Sequence, residues 1–63
     1  MTEKEFKANM LHDAYVDLKS ASGNLGRISH DESVKPLLNE TIALMNKVQQ
    51  AYEKAYDEAD NIN

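Results

Sequence analysis

Few residues in this chain have the type to do chemistry, and their spacing decides what chemistry is open to them. His12 and His30 are the only histidines, and there is no cysteine, so thiolate metal sites and disulfides are excluded. A carboxylate-bridged metal site in a helical bundle needs inward-facing glutamates and a Glu-x-x-His pair. No such pair occurs: Asn9 precedes His12 by three residues and Arg27 precedes His30 by three. His12 is followed directly by Asp13, but adjacent residues on a helix diverge in direction. His12 therefore reads as a histidine on the polar face, and His30 as a turn residue.

The serines fare no better as nucleophiles, which need a base and a group to orient it. Ser20 and Ser22 have no histidine at a helical offset, and Ser29 stands beside His30 only in a turn, as Ser33 does nearby. The sequence thus offers no catalytic residue, no metal ligand set and no cofactor site, and the expectation is a protein that is not an enzyme. More suggestive is the acidic, tyrosine-bearing stretch from Glu53 to Asp60. There Glu53, Asp57, Glu58 and Asp60 accompany Tyr52 and Tyr56, and tyrosine is an amphipathic contact residue enriched at protein interfaces. Two readings stand side by side: a solvated acidic face with half-buried tyrosines, or a face that engages a basic protein surface.

The elements that must carry these residues are helices. Thr2 with Glu5 three residues later is a capping box, and Glu3 and Glu5 face the positive end of the helix dipole. Leu11, Ala14, Leu18, Ala21, Leu25 and Ile28 follow at spacings of three and four, the mark of a packed helix seam. This predicts a first helix over about 3–28. Gly23 and Gly26 weaken its end by about 1 kcal/mol each relative to alanine; they mark either fraying toward a turn or a small-residue surface approached by another backbone. The turn is predicted over 29–33. Pro36 is tolerated only in a first helical turn, which favours a second helix over about 34–60 capped by Ser33, with a kinked start at Asp31 as the alternative.

On the second helix, Val34, Leu37, Thr41, Leu44, Val48, Ala51 and Ala55 read as the seam. A second row, Leu38, Met45, Tyr52 and Ala59, flanks it at intervals of seven, and Ile42 and Tyr56 widen that side. The fold expected is all-α, an antiparallel helical hairpin forming one domain over 1–63. Two helices share one interface, so the flank Leu38, Ile42, Met45, Tyr52 and Tyr56 is the expected interface for another protein chain. The economical solution is a homodimer, two hairpins making a four-helix bundle. Asn39 and Asn46, one heptad apart near this flank, are either exposed or fix register from the core.

Length and charge point the same way. A chain of 63 residues buries only about 60% of its unfolded surface, and without disulfides or metal it is stabilised by association. Residues 1–28 carry equal numbers of acids and bases, so the net charge of −4 belongs wholly to residues 29–63. That sign argues against nucleic acid or an anionic membrane as partner. The first twenty residues have no apolar run of the signal-peptide kind, and no segment reaches the ~20 apolar residues that span a bilayer. A cytoplasmic protein is expected.

The stretch Leu18-Lys19-Ser20-Ala21, then Leu25, then Asp31-Glu32-Ser33-Val34-Lys35-Pro36-Leu37 resembles a family of short uncharacterised two-helix proteins of spore-forming Gram-positive bacteria. The resemblance covers about a third of the chain and implies a fold, two amphipathic helices around an acidic turn, with no activity attached. Two functions are therefore expected in competition. One is a non-enzymatic protein–protein interaction module acting as a small dimeric bundle. The other is a small acidic inhibitor, of the kind phages and mobile elements encode, that blocks a basic or nucleic-acid-binding site on a host protein.

Overall fold

The helices start and stop where local chemistry requires it. In the computed structural model, which describes residues 1–60, α1 spans Glu3–Gly26 and α2 spans Lys35–Asp60. The capping box forms as expected. The Glu5 amide donates to Thr2 Oγ1 at 3.1 Å, and the Thr2 amide donates to Glu5 Oε1 at 3.3 Å. At the other end α1 stops at Gly26, two residues short of the expected 28. A Cβ built on Gly23 or Gly26 would meet open space, so the glycines mark the weakening of a helix end and not a close backbone approach.

The connection runs over 27–34, longer than the expected 29–33, because three-residue amide bonds replace helical ones. The Ile28 amide reaches the Leu25 carbonyl at 3.1 Å, Asp31 reaches Ile28 at 3.1 Å, and Val34 reaches Asp31 at 3.0 Å. The first α2-type bond is Leu38 to the Val34 carbonyl at 2.9 Å. Pro36 is the second residue of α2, where its missing donor leaves nothing unpaired. Ser33 does not act as the expected cap: its hydroxyl and its amide both donate to the Asp31 carboxylate, at 2.8 and 2.9 Å. Lys35 and Glu32 form the one ion pair among the described residues, 2.9 Å long and well exposed, where such a pair adds little.

The two helices lie antiparallel along their whole length as a hairpin. The Tyr56 hydroxyl on α2 donates to Asn9 Oδ1 on α1 at 2.9 Å, and Tyr52 stacks edge-on against both His12 and Tyr15 of α1. The result is a rod of 50 × 15 × 11 Å. Its radius of gyration of 14.5 Å exceeds the roughly 11 Å of a compact domain this size. Among the described residues only Ala8, Val34 and Ala55 are buried outright, and no large side chain is. The expected single domain extends to 63, and its last three residues lie outside the described residues.

The seam that closes the hairpin is not the one the spacing favours. From Val34 into α2 the seam runs through Val34, Leu38, Thr41, Met45, Val48, Tyr52, Ala55 and Ala59, all buried or half-buried, with Gln49 and Tyr56 half-buried beside it. On α1 such positions centre on Ala8, Leu11, Tyr15, Leu18, Ser22, Leu25 and Ser29, with Ala14 and Ala21 at their edge. Both series repeat at three and four, as knobs-into-holes packing demands. Leu37 and Leu44, expected in the α2 seam, are each 50% exposed, and Ile28 is 47% exposed. Serine is tolerated in the α1 seam because each hydroxyl satisfies itself on its own helix. Ser22 donates to the Lys19 carbonyl at 2.8 Å and Ser29 to Gly26 at 2.9 Å. Thr41 does the same on α2, donating to Leu37 at 2.8 Å.

Candidate protein-interaction surface

Each side of a two-helix seam has a flank, and here the two flanks differ. On one, the seven-residue rows are Glu5, His12, Lys19 on α1 and Ile42, Gln49, Tyr56 on α2. His12 lies over the crevice with its ring 5.1 Å from Tyr52 and 6.4 Å from Tyr56, both edge-to-face. Tyr52 in turn meets Tyr15 at 5.3 Å and Tyr56 at 6.1 Å. Such pairs are worth about 0.5–1.5 kcal/mol beyond the area they bury. Asn9 completes the cover by accepting the Tyr56 proton. The crevice on this flank is closed at the level of His12 and Tyr56, while Ile42, nearer the turn, stays 39% exposed.

On the other flank the rows are Lys7, Ala14 and Ala21 on α1, continued by Ile28 just beyond it, and Leu37, Leu44, Ala51, Glu58 on α2. Nothing among the described residues covers it. Ile28, Leu37 and Leu44 stand about half exposed, with Ala51 exposed beside them. Toward the helix ends the apolar strip passes into a shallow pocket of about 140 Å³, floored by Leu11, Ala51 and Ala55 and bordered by Lys7, Lys54 and Glu58. Met10, 46% exposed, lies next to the strip on α1. The whole molecule exposes 4720 Å², against roughly 4,100 Å² for a compact monomer of its mass.

Of the five residues expected to form the interface, four are engaged in the hairpin. Leu38, Met45, Tyr52 and Tyr56 are all half-buried, and only Ile42 is exposed, at 39%. The expected acidic face fares differently: Glu53, Asp57, Glu58 and Asp60 are all exposed. Among the described residues no ion pair joins them to Lys4 or Lys7, across the hairpin on α1. Asn39 and Asn46 are both exposed, so neither sets register from within. Phe6 and Val16, at 56% and 45% exposure, are scattered apolar residues on the outer side of α1.

No other arrangement in the described residues has the geometry of a chemical site. No group of three or more potential ligands could hold a metal ion there, and Ser29 gives its hydroxyl proton to a backbone carbonyl instead of to His30. No described helix is long and apolar enough to cross a membrane. At the turn, the Ser33 hydroxyl, and then its amide, hold the Asp31 carboxyl below the usual aspartate range. Comparison with known proteins finds no matching family, no similar curated protein and no similar solved structure.

Proposed function

We propose that this chain is a non-enzymatic protein–protein interaction module that works as a dimer, two hairpins closing into a four-helix bundle. The observation that carries this reading is the open flank. Ile28, Leu37 and Leu44 lie within about 10 Å of one another along the rod at its turn end, and with Ala21, Ala14 and Ala51 continuing the row they form an apolar strip that no described part of the chain covers. Contiguous apolar surface of this kind marks an interaction site, and a twofold dimer satisfies it with its own copy. The interface therefore moves from the Leu38–Tyr56 side of α2 to the opposite side, leaving Ile42 as the exposed apolar residue of the closed flank.

The test is molar mass by light scattering across a dilution series, paired with circular dichroism. The expected mass at high concentration is twice the 7.1 kDa of one chain. Leu44→Glu places a charge in the strip without touching the seam, and it should give a monomer that keeps its helicity. A wild-type chain that stays monomeric and fully helical throughout would sink the reading.

A second reading, the acidic inhibitor, is favoured by the exposed and unpaired Glu53, Asp57, Glu58 and Asp60. It predicts affinity for a basic protein that falls steeply with ionic strength, whereas an apolar dimer holds or tightens in salt.

A further inference from the structure

The charges bordering the open flank carry the dimer reading one step further, to the orientation of the second copy. We infer that the two hairpins pair side by side and head to head, both turns at the same end, with α1 of each against α2 of the other. This inference rests on the dimer reading and adds its geometry.

The register within one hairpin comes from its contacts. Tyr56 bonds Asn9 and Tyr52 meets His12, so residues whose numbers sum to about 64–65 lie level. A twofold axis parallel to the rod sets α1 of one copy opposite α2 of the other at these same levels. Lys7 then faces Glu58 of the second copy, and Ala14 faces its Ala51. Further along, Ala21 faces Leu44 and Ile28 faces Leu37, small against large and apolar against apolar. One row further out the same rule sets Asp17 opposite Lys47 of the second copy and Asn24 opposite its Glu40. None of Lys7, Asp17, Lys47 or Glu58 has an ion-pair partner among the described residues, so all four are available to a second copy. The dimer has each pair twice.

The alternative twofold, with hairpins turned end for end, satisfies less. Overlapping the full rods would put Lys7 and Glu58 against Ile28 and Leu37 of the second copy, desolvating charge on an apolar surface. Sliding the rods to centre the apolar strip leaves both open ends overhanging.

The experiment uses the full chain with His30→Cys, which introduces its single thiol at the exposed turn, carrying a nitroxide spin label. Head-to-head pairing predicts label backbones on the order of 10–20 Å apart, since neighbouring helices pack 8–10 Å apart, and hence strong dipolar broadening. An end-for-end dimer would separate the labels by about the rod length, 50 Å. That result, with a dimeric mass, overturns the orientation and leaves the dimer standing. A monomeric mass removes both. As a second arm, Asp17→Lys should weaken association roughly tenfold through the two reversed pairs, and Lys47→Asp in the same chain should restore it. If the double variant is no tighter than Asp17→Lys alone, those pairs are not formed.

Discussion

The two flanks of one seam obey the same heptad geometry and end in opposite states. On the closed flank, an imidazole and two phenol rings lie across the crevice, with a hydrogen bond from Tyr56 to Asn9 at its outer edge. On the open flank, aliphatic side chains of equal spacing reach outward and find nothing. The difference lies in reach and polarity. A tyrosine or histidine can cover an apolar crevice and keep its polar atom wet, so a pair of helices can complete that side alone. Leucine and isoleucine can be satisfied only by more apolar surface. A rod 11 Å deep has none left to offer, because both helices have already spent their inner rows on each other.

The largest effect should come from breaking the seam that both flanks share. Ala8 is fully buried and Ala55 is 4% exposed, so the helices come close where these two small residues sit. Ala55→Leu forces them apart and should destabilise the hairpin by about 1–3 kcal/mol, the usual range for overpacking. Denaturant unfolding at a concentration below dimer formation measures it. Ala51→Leu, one turn away on the open flank, is the control and should cost little. Equal losses at both positions would show that Ala51 also lies in the seam.

Next in size is the closed flank. Tyr56→Phe removes the hydroxyl that donates to Asn9 and keeps the ring against His12. A loss of about 1 kcal/mol is expected, the common net worth of such a bond. Asn9→Ala should cost a similar amount, and the double variant should cost less than the two combined. Strict additivity in that double-mutant cycle would mean the pair is not coupled. The matching change on the open flank, Leu37→Gln, should leave monomer stability within about 0.5 kcal/mol.

What was readable in the sequence divides along the same line. The Thr2–Glu5 box, the two helices and the placement of Pro36 in a first turn are local facts, and local spacing reports them. The choice of seam is not local. On α2 the apolar stripe is three rows wide, and Leu37-Thr41-Leu44-Val48 and Leu38-Thr41-Met45-Val48 both repeat at three and four. Only the partner helix decides between them. It decides through Tyr15, His12 and the close pair of alanines, none of which a single helix's periodicity can weigh. Ser22 and Ser29 compounded the ambiguity, since serine counts as polar until its hydroxyl is seen folded onto the backbone. Asn9 gave no signal at all: its partner is 47 residues away. The acidic face was legible because exposure is the ordinary state of carboxylates.

The smallest effect lies at the turn between the helices. Two donors from Ser33 reach the Asp31 carboxylate, and the charged form is favoured, so its pKa falls below the ordinary aspartate range. A depressed folded-state value stabilises the fold above the unfolded pKa, and that contribution fades as pH falls through the folded one. The window is thus acidic, at and below the usual carboxylate range, and stability near neutrality should be flat with respect to this group. Because Asp31 is wholly exposed, solvent screening keeps the energetic effect small, and carboxyl NMR is the measurement that resolves it. Asp31 should titrate below the ordinary aspartate range. Ser33→Ala removes the hydroxyl donor, which contributes most, and should bring Asp31 most of the way back. An Asp31 titration unchanged by Ser33→Ala would mean that the Ser33 amide alone, and not the hydroxyl, holds the carboxyl charged.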